Sequence, residues 1–120
     1  MEDTYSGPER REFVRLGCMM PTMLKVCKKE ILDKLLEGYT SNISQSGLLC
    51  SIKEDVNEGD ILWLSFDRST LHICEALERK SFIYQNGVIG KVIRRVRKED
   101  QNYQIGIQFI TREEKDSVRI

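Results

Sequence analysis

Three arginines near the start of the chain carry the side chains that proteins use to hold phosphates and purines. Arg11 and Arg15 are four residues apart, and Arg10 precedes them. A guanidinium can pair with a phosphate, lie flat on a purine ring, or donate two hydrogen bonds to the edge of a guanine. In an extended segment, positions i and i+4 point to the same side, so Arg11 and Arg15 can face one ligand. The spacing is common by chance and indicates little alone.

A second polar motif, Asn42-Ile43-Ser44-Gln45-Ser46-Gly47, lies between two strand-like runs. The Asn42 amide and the Ser44 hydroxyl can each donate and accept hydrogen bonds. Gly47 has no Cβ, so it permits a positive φ or the close approach of a ligand. The motif also matches a plain turn and, formally, the N-glycosylation sequon. A secretory signal would have to accompany a sequon, and the first seven residues contain no apolar stretch.

Short strands separated by turns dominate the pattern of the chain, which favours a small antiparallel barrel or sandwich. Asn86-Gly87 is a hairpin dipeptide, and Val92 and Val96 are expected on one face of their strand. Thr111 and Glu114 form a capping-box pattern that opens a last helix. Two stretches, residues 30–37 and 69–80, fit a helix or a strand equally well. The predicted strands cover residues 22–27, 39–43, 48–52, 61–66, 88–96 and 103–109.

Length and composition restrict the chain to one ordinary domain. It has 120 residues and a formal net charge of zero, so an anion would have to be held by local charges rather than by the field of the whole protein. No apolar run approaches the length of a membrane span. The four cysteines are widely spaced in a chain without an export signal, which indicates free, mostly buried thiols and a cytoplasmic protein.

Taken together, the two motifs and the last strands resemble a known family. Arg11-x-x-x-Arg15, Asn42-x-Ser44-x-x-Gly47, the run Gly90-Lys91-Val92-Ile93-Arg94 and the strand Tyr103-x-Ile105-Gly106-Ile107-x-Phe109 are similar to the PilZ domain, a bacterial receptor module for cyclic di-GMP. The resemblance covers the chain after Glu9. It implies an all-β fold, a six-stranded antiparallel β-barrel with a short C-terminal helix. Residues 1–15 would then be a flexible arm and residues 16–120 the barrel.

The resemblance also implies a ligand and its contacts. Cyclic di-GMP would be bound as a ligand rather than as a cofactor, without a metal and without catalysis. The arm would close over the nucleotide and the changed surface would recruit an unidentified downstream protein, with no binding of DNA or RNA and no membrane insertion. The predicted binding residues are Arg10, Arg11, Arg15, Asn42, Ser44 and Gly47, with Arg94 as a secondary contact.

Other functions remain open at this point. A PilZ-like adaptor would meet its partners without the nucleotide. The basic run from Lys91 to Lys98 could contact phosphate or a partner, although such runs are usually solvated strand faces. It could also bind nucleic acid generally, which the zero net charge disfavours. His72-x-Cys74 lacks further ligands at metal-binding spacing.

Overall fold

The fold is a closed antiparallel barrel of six strands. It is seen in a computed structural model that describes residues 14–27, 35–69, 71 and 73–117. For residues 14–18 and 117, the structure describes the backbone and not the side chains. The elements are β1 (Val14–Val26), β2 (Leu36–Ile43), β3 (Gly47–Ile52), β4 (Ile61–Ser65), α1 (Cys74–Lys80), β5 (Ile83–Tyr84), β6 (Gly87–Arg97), β7 (Tyr103–Phe109) and a 3-10 helix (Arg112–Ser117). The strands pair in the order β4-β1-β2-β3-β7-β6, and pairing of β4 with β6 closes the ring. A seventh strand, β5, has two residues and pairs with β6.

Alternating apolar residues fill the barrel interior, which confirms the predicted all-β barrel. Leu62 and Leu64 of β4 are fully buried, and Ile105, Ile107 and Phe109 of β7 are buried on the same side as each other. Strands of this period place every second side chain inside, so a short chain can still form one continuous core. The core is made of Leu24, Leu36, Ile43, Leu48, Cys50, Ile52, Val56, Leu62, Leu64, Phe66, Ile73, Leu77, Val88, Val92, Ile105, Ile107 and Phe109.

The two ambiguous stretches are now assigned where the structure describes them. Residues 74–80 form α1, whose Leu77 is fully buried. Leu36 and Glu37 belong to β2, whereas residues 30–34 lie outside the described part of the chain. β1 begins at Val14, eight residues before the predicted start of the first strand. The predicted arm lies outside the described residues up to position 13, and its flexibility stays a prediction.

The predicted hairpin lies one residue earlier than expected. Tyr84 pairs with Gly87, so the two-residue loop is Gln85-Asn86, and both residues have positive φ angles of 50° and 65°. Such a loop matches the twist of the flanking strands, and asparagine tolerates this region of backbone space. Gly87 is instead required by packing, because a Cβ there would lie 2.3 Å from Nε1 of Trp63.

The capping box that the sequence predicts forms shortly after the last strand, between Thr111 and Glu114. The backbone N–H of Thr111 donates to Oε1 of Glu114 over 3.0 Å, and the N–H of Glu114 donates to the Thr111 hydroxyl over 3.3 Å. The helix that follows is of the 3-10 type as far as the structure describes it. Neither this helix nor α1 has the length or the hydrophobicity to cross a membrane.

The cysteines confirm free thiols where their side chains are described. Cys27, Cys50 and Cys74 are unpaired, and only Cys50 is fully enclosed. Burial raises the pKa of the Cys50 thiol to about 11, so it stays protonated near neutral pH.

One arginine links the hairpin to α1, and its removal should destabilise this side of the barrel. Arg68 donates to Oε2 of Glu78 over 2.9 Å and to the carbonyl and side-chain oxygens of Asn86. Its side chain is only 10% exposed. We expect Arg68→Ala to lower the free energy of unfolding by about 1–3 kcal/mol, since the hydrogen bonds of a charged donor and the packing of its buried side chain are lost. Urea unfolding monitored by circular dichroism measures this.

Arg79→Ala is the matched control, because Arg79 lies on α1, the helix that Arg68 contacts, in an exposed pair with Glu75 at 3.8 Å. Surface pairs of this kind contribute about 0–1 kcal/mol. Equal losses in the two variants would contradict the structural role assigned to Arg68.

Candidate ligand-binding site

The second motif forms the tight connection between β2 and β3. The N–H of Ser44 donates to the carbonyl of Gly47 over 2.8 Å, which closes the turn. The Ser44 hydroxyl accepts from the N–H of Ser46 over 3.1 Å and lies 3.4 Å from the Gly47 carbonyl oxygen. Phe109 then fixes the turn to β7, because its N–H donates to the carbonyl of Ser46. The motif therefore forms a turn that is closed by its own hydrogen bonds and attached to β7.

Two residues of this motif have structural roles that the sequence did not indicate. Ser44 is 1% exposed, so its hydroxyl serves the turn. Gly47 does not have a positive φ. Its Cβ would lie 2.2 Å from the carbonyl oxygen of Ile107, so the close approach that requires glycine is made by β7. Contacts of Ser44 and Gly47 with a ligand remain predictions.

Asn42 lies on the outer wall of the barrel because of a bulge. Thr40 pairs with Cys50 and Asn42 pairs with Leu49, so Ser41 is an extra residue in β2. Thr40 is fully buried, and regular alternation would place Asn42 on the same inner side. The bulge turns Asn42 outward and half exposed while Ile43 remains in the core.

A second bulge does the same for Arg94. Val92 pairs with Ile107 and Arg94 pairs with Gly106, which leaves Ile93 as the extra residue of β6. Ile93 and Arg94 are both exposed. Val92 is buried and Val96 is only half-buried, opposite Gln104, so the expectation that the two valines share a face is wrong. The bulge between them reverses the alternation.

The backbone register brings three of the predicted residues into one row. Arg15 pairs with Asn42, Asn42 with Leu49, Leu49 with Gly106, and Gly106 with Arg94. This outer row crosses five strands. Sequence reasoning identified Arg15, Asn42 and Arg94, and missed Leu49 and Gly106, which become neighbours only through the sheet. Arg10 and Arg11 lie outside the described residues.

β1 is irregular at the same level of the barrel. It advances five residues from Arg15 to Met20 while β2 retreats two from Asn42 to Thr40. Two buried hydroxyls lie where regular pairing resumes at Met20. The Thr22 hydroxyl donates to the carbonyl of Met20 over 3.1 Å and lies 2.7 Å from the Thr40 hydroxyl. Residues 16–19 of β1 therefore have no register partner in β2, whereas the strand is regularly paired from Met20 onward.

The basic run is not one continuous charged face. Arg95 forms an ion pair with Asp55, donates to the carbonyl of Val56 over 3.3 Å, and lies 5.7 Å from the ring of Tyr103. Arg94, its neighbour, points to the outer row. The basic run is therefore divided by strand alternation and the bulge. Arg95 makes a structural contact at the end of the barrel, whereas Arg94 lies on the outer wall.

An open depression on the described surface does not include the residues of the outer row. That depression, of about 600 Å³, is lined by residues of β2, β3 and their surroundings, none of which belongs to the predicted site: Met19, Leu35, Glu37, Tyr39, Ser51, Ile52, Lys53, Glu54 and Asn102. A ligand on the row would therefore rest on the wall of the barrel. Among the described residues, no cluster of side chains has the composition of a metal site.

The comparison with protein families agrees with this geometry. A family model, described as the PilZ domain, matches residues 9–120. The chain belongs to the PilZ family. PilZ domains are receptor modules rather than enzymes, and the family is known for binding cyclic di-GMP. No curated protein matches the chain.

The structure makes a specific prediction for Gly47. Gly47→Ala should lower the free energy of unfolding by about 1–3 kcal/mol, because the added Cβ would overlap the backbone of β7. Gly106→Ala is the matched control, since its Cβ would have only ordinary contacts, the nearest 3.5 Å away. Thermal unfolding of both variants without ligand measures the difference. Equal stability of the two would show that Gly47 is not required by packing.

Proposed function

We propose that this PilZ protein is a cytoplasmic receptor that binds cyclic di-GMP and relays its presence to a partner protein. The observation that supports this most directly is the outer row, in which the second arginine of the first motif pairs with the first residue of the second motif. Two motifs separated by 26 residues along the chain are thus adjacent in space. That adjacency is what a composite site for one ligand needs.

The chemistry of the row suits this nucleotide. Arg10, Arg11 and Arg15 offer guanidinium groups for the phosphates and for guanine O6 and N7. Asn42 is half-exposed beside Arg15 and can donate to O6 or accept from a guanine N–H. Ser44 and Gly47 hold the turn in place, and Arg94 adds a positive charge at the far end of the row.

Closure of the arm follows from the convex position of the row. A ligand on a barrel wall keeps one side in water unless another segment covers it. Arg10 and Arg11 come just before β1, which begins at Val14, so the segment that carries them is close along the chain to Arg15 of the row. Ordering that segment costs conformational entropy, which the charged contacts must exceed.

Loss of the arginines should weaken binding in proportion to the contacts removed. Replacement of both Arg11 and Arg15 by alanine should cost about 1–3 kcal/mol for each lost guanine contact. Titration calorimetry with cyclic di-GMP measures the affinity, with GTP and cyclic di-AMP as comparison ligands. Arg79→Ala, an exposed arginine on α1, is the control for the change of charge.

Unchanged affinity in the double variant would contradict the proposed site. If the unmodified protein gave no binding heat, the adaptor function without nucleotide would replace the proposal.

Closure of the arm can be tested separately by hydrogen exchange. The irregular part of β1 between Arg15 and Met20 has few register constraints, so its amides should exchange faster than those of β7 without ligand. Cyclic di-GMP should slow exchange at residues 9–19 and leave the core of β7 unchanged. Equal exchange at residues 9–19 with and without bound ligand would rule out closure of the arm while leaving binding intact.

A further inference from the structure

A small platform on the outer wall surrounds Gly106, in the centre of β7. The nearest atoms to a Cβ at this position would be Cβ of Arg94 at 3.5 Å, Cδ2 of Leu49 at 3.7 Å and Cγ1 of Ile93 at 4.0 Å. Side chains from both neighbouring strands therefore come together over a residue that has none. Gly106 itself is buried beneath them.

The platform combines apolar surface with a cation. Ile93 is 54% exposed, although a large apolar side chain on a strand is normally turned inward. It is exposed because the bulge in β6 directs both Ile93 and Arg94 outward opposite the single residue Gly106. Leu49 is half-buried on the other side. A flat surface of two aliphatic side chains and a guanidinium suits the face of an aromatic ring better than a phosphate.

We propose that this platform, made of Leu49, Ile93 and Arg94 over Gly106, takes the flat face of one purine base of the bound nucleotide. The inference rests on the proposed function and adds a base-stacking position to it. The row continues from the platform to Asn42 and Arg15, so a base lying here has its edge and its phosphate directed toward polar groups. Because Gly106 has no side chain, nothing at its position separates the base from the platform.

The test uses a substitution that raises the platform without disturbing the core. Gly106→Val adds bulk among side-chain atoms of Arg94, Leu49 and Ile93 rather than against backbone, and valine is favoured in strands. We expect it to fold normally and to bind cyclic di-GMP about tenfold or more weakly, the range found for loss of one stacked base. Gly106→Ala should have a smaller effect, since one Cβ fits in ordinary contact.

Gln104→Val is the matched control on the same strand and the same face. Gln104 lies two residues before Gly106 and pairs with Ser51 and Val96, which do not belong to the platform, so its replacement should leave affinity unchanged. Ile93→Ser removes exposed apolar surface only, and should weaken binding at unchanged melting temperature. In the complex, the methyl resonances of Leu49 and Ile93 should shift upfield through the ring current of the base.

The outcomes separate this inference from the proposed function. If the unmodified protein binds and the Arg11 and Arg15 variants lose affinity, but Gly106→Val binds as Gln104→Val does, the platform is overturned and the receptor function stands. If the unmodified protein does not bind cyclic di-GMP, both fail. Should Gly106→Val not fold, normal binding by both Gly106→Ala and Ile93→Ser would overturn the platform.

Discussion

The site depends on two extra residues, Ser41 in β2 and Ile93 in β6, that reverse the alternation of their strands. Without them, Asn42 would share the inner face with Thr40, and Arg94 would share it with Val92. A guanidinium placed in this core would be desolvated without a partner, which costs several kcal/mol. The bulges therefore meet two requirements together: Ile43 and Val92 stay in the core, and the polar groups beside them reach the outer wall. Barrel stability and the proposed ligand recognition therefore depend on the same register.

This arrangement divides the predicted motifs between support and contact. Ser44 and Gly47 fix a turn against β7, while Asn42 and Arg15 lie on the row that the turn positions. The protein has no net charge to attract an anion from a distance, so the proposed recognition would depend on these few local groups. On a convex wall, the proposed binding of the nucleotide would need a covering segment. Binding and closure of that segment would then be one event, which is what the proposed relay requires.

The sequence was sufficient for the features that depend on local periodicity. The regular strand β7 and the capping box of Thr111 with Glu114 follow from neighbouring residues, and both were predicted correctly. Bulges depend on how two strands pair, so the sides taken by Val92 and Val96 could not be obtained from one strand alone. The same holds for Gly87, whose constraint is the indole of Trp63 on another strand. In the candidate site, the motif residues could be named in advance, whereas Leu49 and Gly106 could be found only from the sheet that places them beside Asn42 and Arg94.

We propose that one register row across five strands carries the nucleotide. A map of backbone amide shifts, recorded as cyclic di-GMP is added to the labelled protein, tests this most directly. We expect the largest changes at Arg15, Asn42, Leu49, Gly106 and Arg94, with Trp63 and β5 on the other side of the barrel unaffected. Saturating changes centred on β4 and β5, with the row unchanged, would contradict it.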